Sequence, residues 1–273
     1  MSFSGKSPGS TYKDLLYVDN NNSGVSATAK QIKTAEGSST VAKLSDRSLT
    51  LQPTADNDSV VKVSNASGAI KFQVDTSAND VKALGTHVNT QYANFGINAV
   101  DSQWASAVDD THHMVPYTTA FANVSLDTAA NLAIGTSTTS SFNDTEPADS
   151  LTIATTAQTV LPCYWYVPDA ISIDKVEWFT TTDAAAGSNV CAYLMAYDLD
   201  KGNTATSGDL SNGTKLASSG TIANNGYEQI HYNNMTIHSS TVTAGKVILF
   251  TFAFDDTEAS DYGISATIKY HLT

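Results

Sequence analysis

The sequence has few cysteines and few charged residues, and each shortage argues against a class of protein. Two cysteines, Cys163 and Cys191, are too few for a disulfide scaffold or a cysteine-rich zinc module. Both cysteines lie in strands predicted below. We expect two buried thiols, and if those two strands pair, the alternative is a disulfide. Charged residues make up 15% of the chain, well below the usual quarter. Because helix-forming Leu, Glu, Lys and Arg are scarce, a helical bundle or coiled coil does not fit.

Basic residues are scarcer than acidic ones. The chain has 14 Lys and Arg against 27 Asp and Glu, which gives a net charge of −13 at pH 7. Nucleic-acid binders neutralise phosphates with Lys and Arg, so this balance predicts no nucleic-acid partner. The acidic excess lies in residues 101–273, whereas residues 1–100 are nearly neutral.

The sequence also lacks any 18-residue apolar run. Its first residues are typical neither of a signal peptide nor of a myristoylation site. We therefore predict no membrane partner, and synthesis and folding in a reducing cytoplasm.

Small polar residues are abundant instead: 85 residues are Ser, Thr or Asn. Thr favours strands, and Ser and Asn favour turns. The 12 Tyr, 9 Phe and 3 Trp supply a hydrophobic core, so the chain is not expected to be disordered. This composition predicts an all-β fold.

Residues 1–30 are predicted to form an extended attachment arm. The arm is loop-like apart from one apolar patch, and it is too short to build its own core. We expect it to dock on another protein through Tyr12, Leu15, Leu16, Tyr17 and Val18. The one stretch with a helical pattern is short and lies at residues 27–35.

Residues 31–85 are predicted to form a β-rich trimerisation segment. Short alternating runs separated by turn signals, such as the one at residues 65–68, indicate β-hairpins. The predicted strands are 40–44, 48–52, 59–63 and 69–74. A segment of this length with so few aromatic residues buries little apolar area alone, so we predict a homotrimer.

Residues 86–273 are predicted to form an antiparallel jelly-roll-like β-sandwich. Apolar and alternating runs are separated by Gly, Asn and Asp turns. The predicted strands are 151–155, 160–167, 171–180, 190–197, 215–222, 228–237, 246–254 and 263–272.

No residue pattern predicts a catalytic site, a metal site or a cofactor. Metal-ligating residue types occur together at Asp109, Asp110, His112 and His113. Neighbours on an extended chain point to opposite faces, so we expect a solvated loop there. Residues 198–203 have part of a calcium-loop pattern without its closing Glu, which favours a polar hairpin turn.

Aromatic residues offer a candidate binding surface. The glycan-binding candidates are Tyr164, Trp165, Tyr166 and Trp178. Strand alternation predicts Tyr164 and Tyr166 on one face and Trp165 on the other. The alternative is that these rings pack in the sandwich core and between subunits.

Five stretches carry a family resemblance: Ser7–Gly24 (SPGSTYKDLLYVDNNNSG), Lys33–Pro53, Val61–Thr76 (VKVSNASGAIKFQVDT), Asn89–Phe95 and Cys163–Pro168. They resemble the trimeric fibre and capsid-decoration (head-fibre) proteins of marine tailed bacteriophages. The resemblance implies a homotrimer located in the virion and made in the host cytoplasm. It implies no cofactor and no catalytic residue.

The sequence therefore predicts a non-enzymatic bacteriophage structural protein, a capsid decoration or cement protein or a head fibre. Its N-terminal arm would attach to the major capsid protein or another virion protein, and its C-terminal β-domain would project outward. One alternative is a tail fibre or spike, a receptor-binding protein that recognises a host surface glycan. A third hypothesis is that the protein is a polysaccharide depolymerase. Such an enzyme needs two carboxylates in one groove.

Overall fold

The computed structural model describes residues 16–19, 26–34, 37–98, 111–117, 146–152, 161–182, 186–203, 207–226, 228–255 and 262–273. These residues form antiparallel sheets and no α-helix, which confirms the all-β class. Within them, no helix is long and apolar enough to cross a membrane. The chain divides into two compact units, residues 1–88 and 89–273.

The N-terminal unit begins with a four-stranded antiparallel sheet. Its strands are β1 (Leu16–Val18), β2 (Lys30–Thr34), β3 (Ser39–Leu44) and β4 (Leu49–Leu51). The strands pair in chain order. Five residues of the short stretch with a helical pattern, 27–35, form β2, where β-branched Ile32 and Thr34 suit a pleated strand.

A second four-stranded antiparallel sheet follows, again paired in chain order. Its strands are β5 (Val61–Ser64), β6 (Ile70–Asp75), β7 (Asp80–Ala83) and β8 (Thr86–His87). The turn predicted between β5 and β6 is confirmed. The backbone N–H of Ala69 donates to Asn65 Oδ1 at 2.8 Å, and Gly68 takes a φ of 84°, which suits glycine.

The C-terminal unit contains longer strands. In chain order they are β9 (Thr90–Asn98), β10 (His113–Val115), β11 (Trp165–Tyr166), β12 (Ile171–Thr182), β13 (Asn189–Leu199), β14 (Leu210–Ser218), β15 (Ile222–Ala223), β16 (Gln229–Asn234), β17 (Thr236–Ile237), β18 (Thr241–Val242), β19 (Lys246–Phe254) and β20 (Tyr262–Leu272).

These strands form two antiparallel sheets. The inner sheet has the order β10-β19-β13-β14-β17, with β11 beside β19 and β15 beside β13. The outer sheet has the order β16-β12-β20-β9, with β18 beside β12. Aromatic rings from both sheets meet between them: Trp178 of the outer sheet packs edge-on against Phe252 of the inner sheet at 5.9 Å. The predicted β-sandwich is therefore confirmed.

The strand predicted at residues 160–167 is largely wrong. Leu161–Cys163 form a 3₁₀ turn, and only Trp165–Tyr166 form a strand. Pro162 lacks the N–H that a sheet ladder needs, and its carbonyl instead accepts the N–H of Tyr117 at 2.8 Å. Of the strand predicted at 151–155, Leu151 makes an isolated bridge and residues 153–155 lie outside the described residues.

Burial differs between the two sheets of the sandwich. On the inner sheet, the central runs Val190–Tyr197 and Val247–Phe254 are buried at every position, so both faces of that sheet are covered. Tyr197, for example, donates its hydroxyl to the carbonyl of Ala148 at 3.0 Å. On the outer sheet, buried and accessible residues alternate, so its second face is open to solvent.

Candidate functional site

The first candidate surface is one face of the β1–β4 sheet. The register places alternate residues of the four strands on this face, which we call the first apolar face. Its apolar members are Leu16, Val18, Ile32, Ala42, Leu44, Leu49 and Leu51. Leu16 is 60% exposed and Leu49 is 62% exposed. The opposite face carries Gln31 and Lys43 together with Tyr17 and Val41, so it is more polar than the first apolar face.

The β5–β8 sheet repeats this amphipathic pattern. Its register aligns Val61, Val74 and Val81 in one row, and the neighbouring row is also apolar. This second apolar face consists of Val61, Val63, Ile70, Phe72, Val74, Val81 and Ala83. The opposite face carries Lys62 and Lys82, among other polar side chains.

Among the described residues, neither apolar face of the N-terminal unit has a fully buried member. Among residues 16–19, 26–34 and 37–88, the only buried side chain is that of Ser45. Every residue of the buried hydrophobic core lies in the C-terminal unit. Apolar surface that remains in water forgoes about 25 cal/mol per Å², so burying either face against another apolar surface would be favourable.

The predicted attachment residues fall into two groups. Tyr12 and Leu15 lie outside the described residues. Leu16, Tyr17 and Val18 form β1, so this part of the arm is a sheet strand rather than a lone extended segment. The strand is secured by an ion pair between Lys33 Nζ and an oxygen of Asp19 at 2.7 Å, and its hydrogen bond raises the pKa of Lys33.

The structure separates the four predicted glycan-binding aromatics. Trp178 is 1% exposed and Trp165 is 6% exposed, so neither indole can contact a ligand in solvent. Trp165 stacks on Tyr117 at 5.9 Å and contacts Tyr270 at 5.0 Å. The prediction of an exposed platform is wrong for both tryptophans, because both rings point into the core.

The two tyrosines beside Trp165 differ in exposure. Tyr164 is partly buried, and its hydroxyl donates to the carbonyl of Gly208 at 3.1 Å. Burial raises the pKa of that phenol. Tyr166 is 44% exposed, with Lys201 Nζ 4.9 Å from its ring centroid. Tyr166 is the only one of the four candidates with an exposed ring.

An aromatic pair that was not predicted from the sequence lies on the open face of the outer sheet. Phe179 of β12 lies opposite Tyr232 of β16, and their ring centroids are 5.0 Å apart. Phe179 is 48% exposed and Tyr232 is 54% exposed. Phe179 alternates with buried Trp178 and Thr180, and Tyr232 alternates with half-buried His231 and Asn233. The strand alternation was visible in the sequence, but the pairing of the two rings was not.

A carboxylate holds this pair in position. Glu177 Oε1 accepts a hydrogen bond from the Tyr232 hydroxyl at 2.5 Å and an ion-pair contact from Lys175 Nζ at 2.8 Å. Both hydrogen bonds lower the pKa of Glu177, and the one from Lys175 has the larger effect. The ring of Tyr232 is therefore tethered at its hydroxyl end while one side stays open to solvent.

The histidines of the predicted solvated loop are buried. His112 is 1% exposed and His113 is 0% exposed, and His113 lies in β10. His112 meets the Tyr193 ring edge-on at 5.1 Å, and His113 stacks on Phe254 at 6.1 Å. The loop expectation is wrong for these two residues because their rings fill the core; Asp109 and Asp110 lie outside the described residues.

Two further sequence features have structural explanations. Residues 198–203 enter the hairpin between β13 and β14, where Asp200 Oδ1 accepts the N–H of Gly202 at 2.8 Å. This confirms the polar turn. Cys163 lies in the 3₁₀ turn rather than in a strand, and Cys191 lies in β13, with both side chains buried. Burial raises the pKa of the Cys163 thiol to about 12.

No protein-family model and no curated protein matches this chain. Among solved structures, it is similar to an aminopeptidase from the marine sediment archaeon Thaumarchaeota archaeon, with 10% identity and a TM-score of 0.31. It is also similar to an α-amino acid ester hydrolase, with 6% identity and a TM-score of 0.27. These matches cover 74% and 69% of this chain but 40% and 33% of the two enzymes, so the chain spans less than half of either. Neither match assigns an activity to it.

Proposed function

We propose that this chain is a non-enzymatic structural protein of a bacteriophage virion, a capsid decoration or head-fibre protein. The N-terminal unit joins three copies, its first residues attach to a capsid or other virion protein, and the sandwich is the outward part. The virion assignment rests on the sequence resemblance. The oligomeric part rests on the two apolar faces that the N-terminal unit leaves partly exposed.

The single observation that carries the proposal is the contrast in burial between the two units. The sandwich buries tryptophan, tyrosine and phenylalanine rings in a complete core. The N-terminal unit has amphipathic sheets with no buried apolar residue among its described positions. A sheet with one apolar face is stable when that face packs against another layer, and identical copies supply such a layer.

The first test measures the molar mass of the full chain by light scattering coupled to gel filtration. We expect three times the chain mass of 28.8 kDa. A mass of one chain at micromolar concentration would overturn the oligomeric part of the proposal.

The second test locates the protein on particles. Purified protein is added to virions stripped of it, and the particles are imaged by electron cryo-microscopy. We expect density on the head, and density confined to the tail would overturn the decoration role. A chain lacking residues 1–15 keeps β1 intact, and we expect it to remain a trimer that no longer binds particles.

A further inference from the structure

We propose that the open face of the outer sheet is a binding site for a neutral oligosaccharide. The site combines the exposed ring pair of Phe179 and Tyr232 with a row of hydrogen-bonding side chains directly beside it. This site contains none of the four predicted glycan-binding residues, Tyr164, Trp165, Tyr166 and Trp178, and the proposal does not depend on the virion role.

The ring pair forms an apolar corner at the edge of the sheet. Phe179 and Tyr232 lie opposite each other on β12 and β16, and Ile230, 73% exposed, lies two residues before Tyr232. One face of a sugar ring presents C–H groups, which pack against aromatic rings. Binding sites for small ligands combine such an apolar surface with a few placed polar groups.

The polar groups lie in the next row of the same face. The register aligns Asn234 with Glu177, Glu177 with Thr267, and Thr267 with Asn94 across four strands. Neighbouring strands are about 4.8 Å apart, so this row is about 14 Å long. Thr267 Oγ1 donates to Asn94 Oδ1 at 3.0 Å, which orients both side chains. Amides, a hydroxyl and a carboxylate are groups that hydrogen-bond sugar hydroxyls.

A third aromatic residue lies beside the far end of this row, two residues before Asn94. Tyr92 of β9 is 61% exposed and lies opposite Lys269 of β20, which in turn lies opposite Lys175 of β12. The polar row therefore has an aromatic ring next to each end: Tyr232 beside Asn234 on one side of the row, and Tyr92 beside Asn94 on the other side. An extended oligosaccharide that follows the row can stack one sugar ring at each end.

The charge of this face favours a neutral ligand. Glu177 is paired with Lys175, and Asp174, at the end of the face, contacts His271 Nδ1 at 3.0 Å. Lys269, which lies opposite Lys175, adds a further positive charge, so this face carries charges of both signs on a chain whose net charge is −13. An acidic polysaccharide would meet the cation of Lys269 here but would be repelled by the excess negative charge of the rest of the chain.

The size of the apolar corner argues against a protein partner. Three half-exposed side chains offer on the order of 300 Å² of apolar surface, since a whole aromatic side chain buries about 200 Å². A stable protein interface buries about 800 Å² from each partner, of which roughly 57%, or about 450 Å², is apolar. The remainder of the face consists of polar groups that a protein surface would have to desolvate.

The test uses isothermal titration of the full chain with neutral oligomers of glucose, mannose, galactose and N-acetylglucosamine, and with hexuronate oligomers of the same length. We expect at least one neutral series to bind and the hexuronates not to bind. Substitution Tyr232→Ala or Phe179→Ala should weaken binding about tenfold, because each removes one stacking ring. Thr267→Val, which keeps the shape but removes a hydroxyl, should also weaken it.

Tyr166→Ala is the matched control, because Tyr166 is an exposed tyrosine on the other sheet. We expect it to bind like the unmodified chain. Binding that survives Tyr232→Ala and is lost in Tyr166→Ala would overturn the assignment, and so would failure of every neutral series. Circular dichroism and molar mass verify that each variant keeps its fold and assembly.

Discussion

The second apolar face gives a prediction whose size can be worked out from the structure. Val63 lies on this face opposite Phe72, and it is 54% exposed in the single chain. Burying a whole valine side chain is worth about 1.5–3 kcal/mol, so burying the exposed half is worth about 1 kcal/mol. The substitution Val63→Ser removes this contribution from every chain of the assembly.

In a trimer the loss occurs three times, which gives about 3 kcal/mol. This value corresponds to about a hundredfold change in the dissociation equilibrium. Sedimentation equilibrium over a range of protein concentrations measures it, in a urea concentration at which the unmodified trimer is partly dissociated. We expect the trimer of the Val63→Ser variant to dissociate at protein concentrations at which the unmodified trimer is still intact.

Lys62→Ser is the matched control, because Lys62 is the preceding residue and lies on the opposite face of the same strand. We expect it to change the dissociation equilibrium little. Equal effects of the two substitutions would refute the reasoning, because assembly would then not depend on which face carries the change. A trimer that is insensitive to Val63→Ser would place its interface elsewhere.

Three further predictions concern the sandwich. Trp178→Ala should lower the free energy of unfolding by about 3–5 kcal/mol in urea titrations, whereas Phe179→Ala should cost much less, since Phe179 is half exposed. The Cys163 thiol should react with a maleimide only after unfolding, because it is buried with a pKa of about 12; mass spectrometry in native buffer and in denaturant checks this. The pKa of Glu177 should lie below its usual value of 4.5 in an NMR titration and rise in Lys175→Met, where the main hydrogen bond is lost. Because the pKa is lower in the folded state, the contribution of Glu177 to stability is present above its unfolded pKa and is lost as the pH falls through the folded pKa.

The sequence predicted much of the strand content because alternation and turn signals are local. The strand predicted at residues 246–254 has the observed bounds of β19, and the one predicted at 171–180 becomes β12 with two more residues. The hairpin turn at residues 65–68 was predicted from its Asn and Gly. Proline cannot donate a hydrogen bond to a sheet ladder, and the predicted strand around Pro162 is instead a 3₁₀ turn at Leu161–Cys163.

The sequence by itself thus determined the all-β class, the alternation along each strand and the weak core of the N-terminal unit. Only the tertiary structure decided which side of each strand faces inward and which strands are neighbours. Alternation separates Trp178 from Phe179, but it does not say which of them enters the core. Pairing β12 with β16, some fifty residues apart in the chain, is what brings Phe179 against Tyr232. Such contacts depend on long-range packing of whole sheets, so no short stretch of residues encodes them.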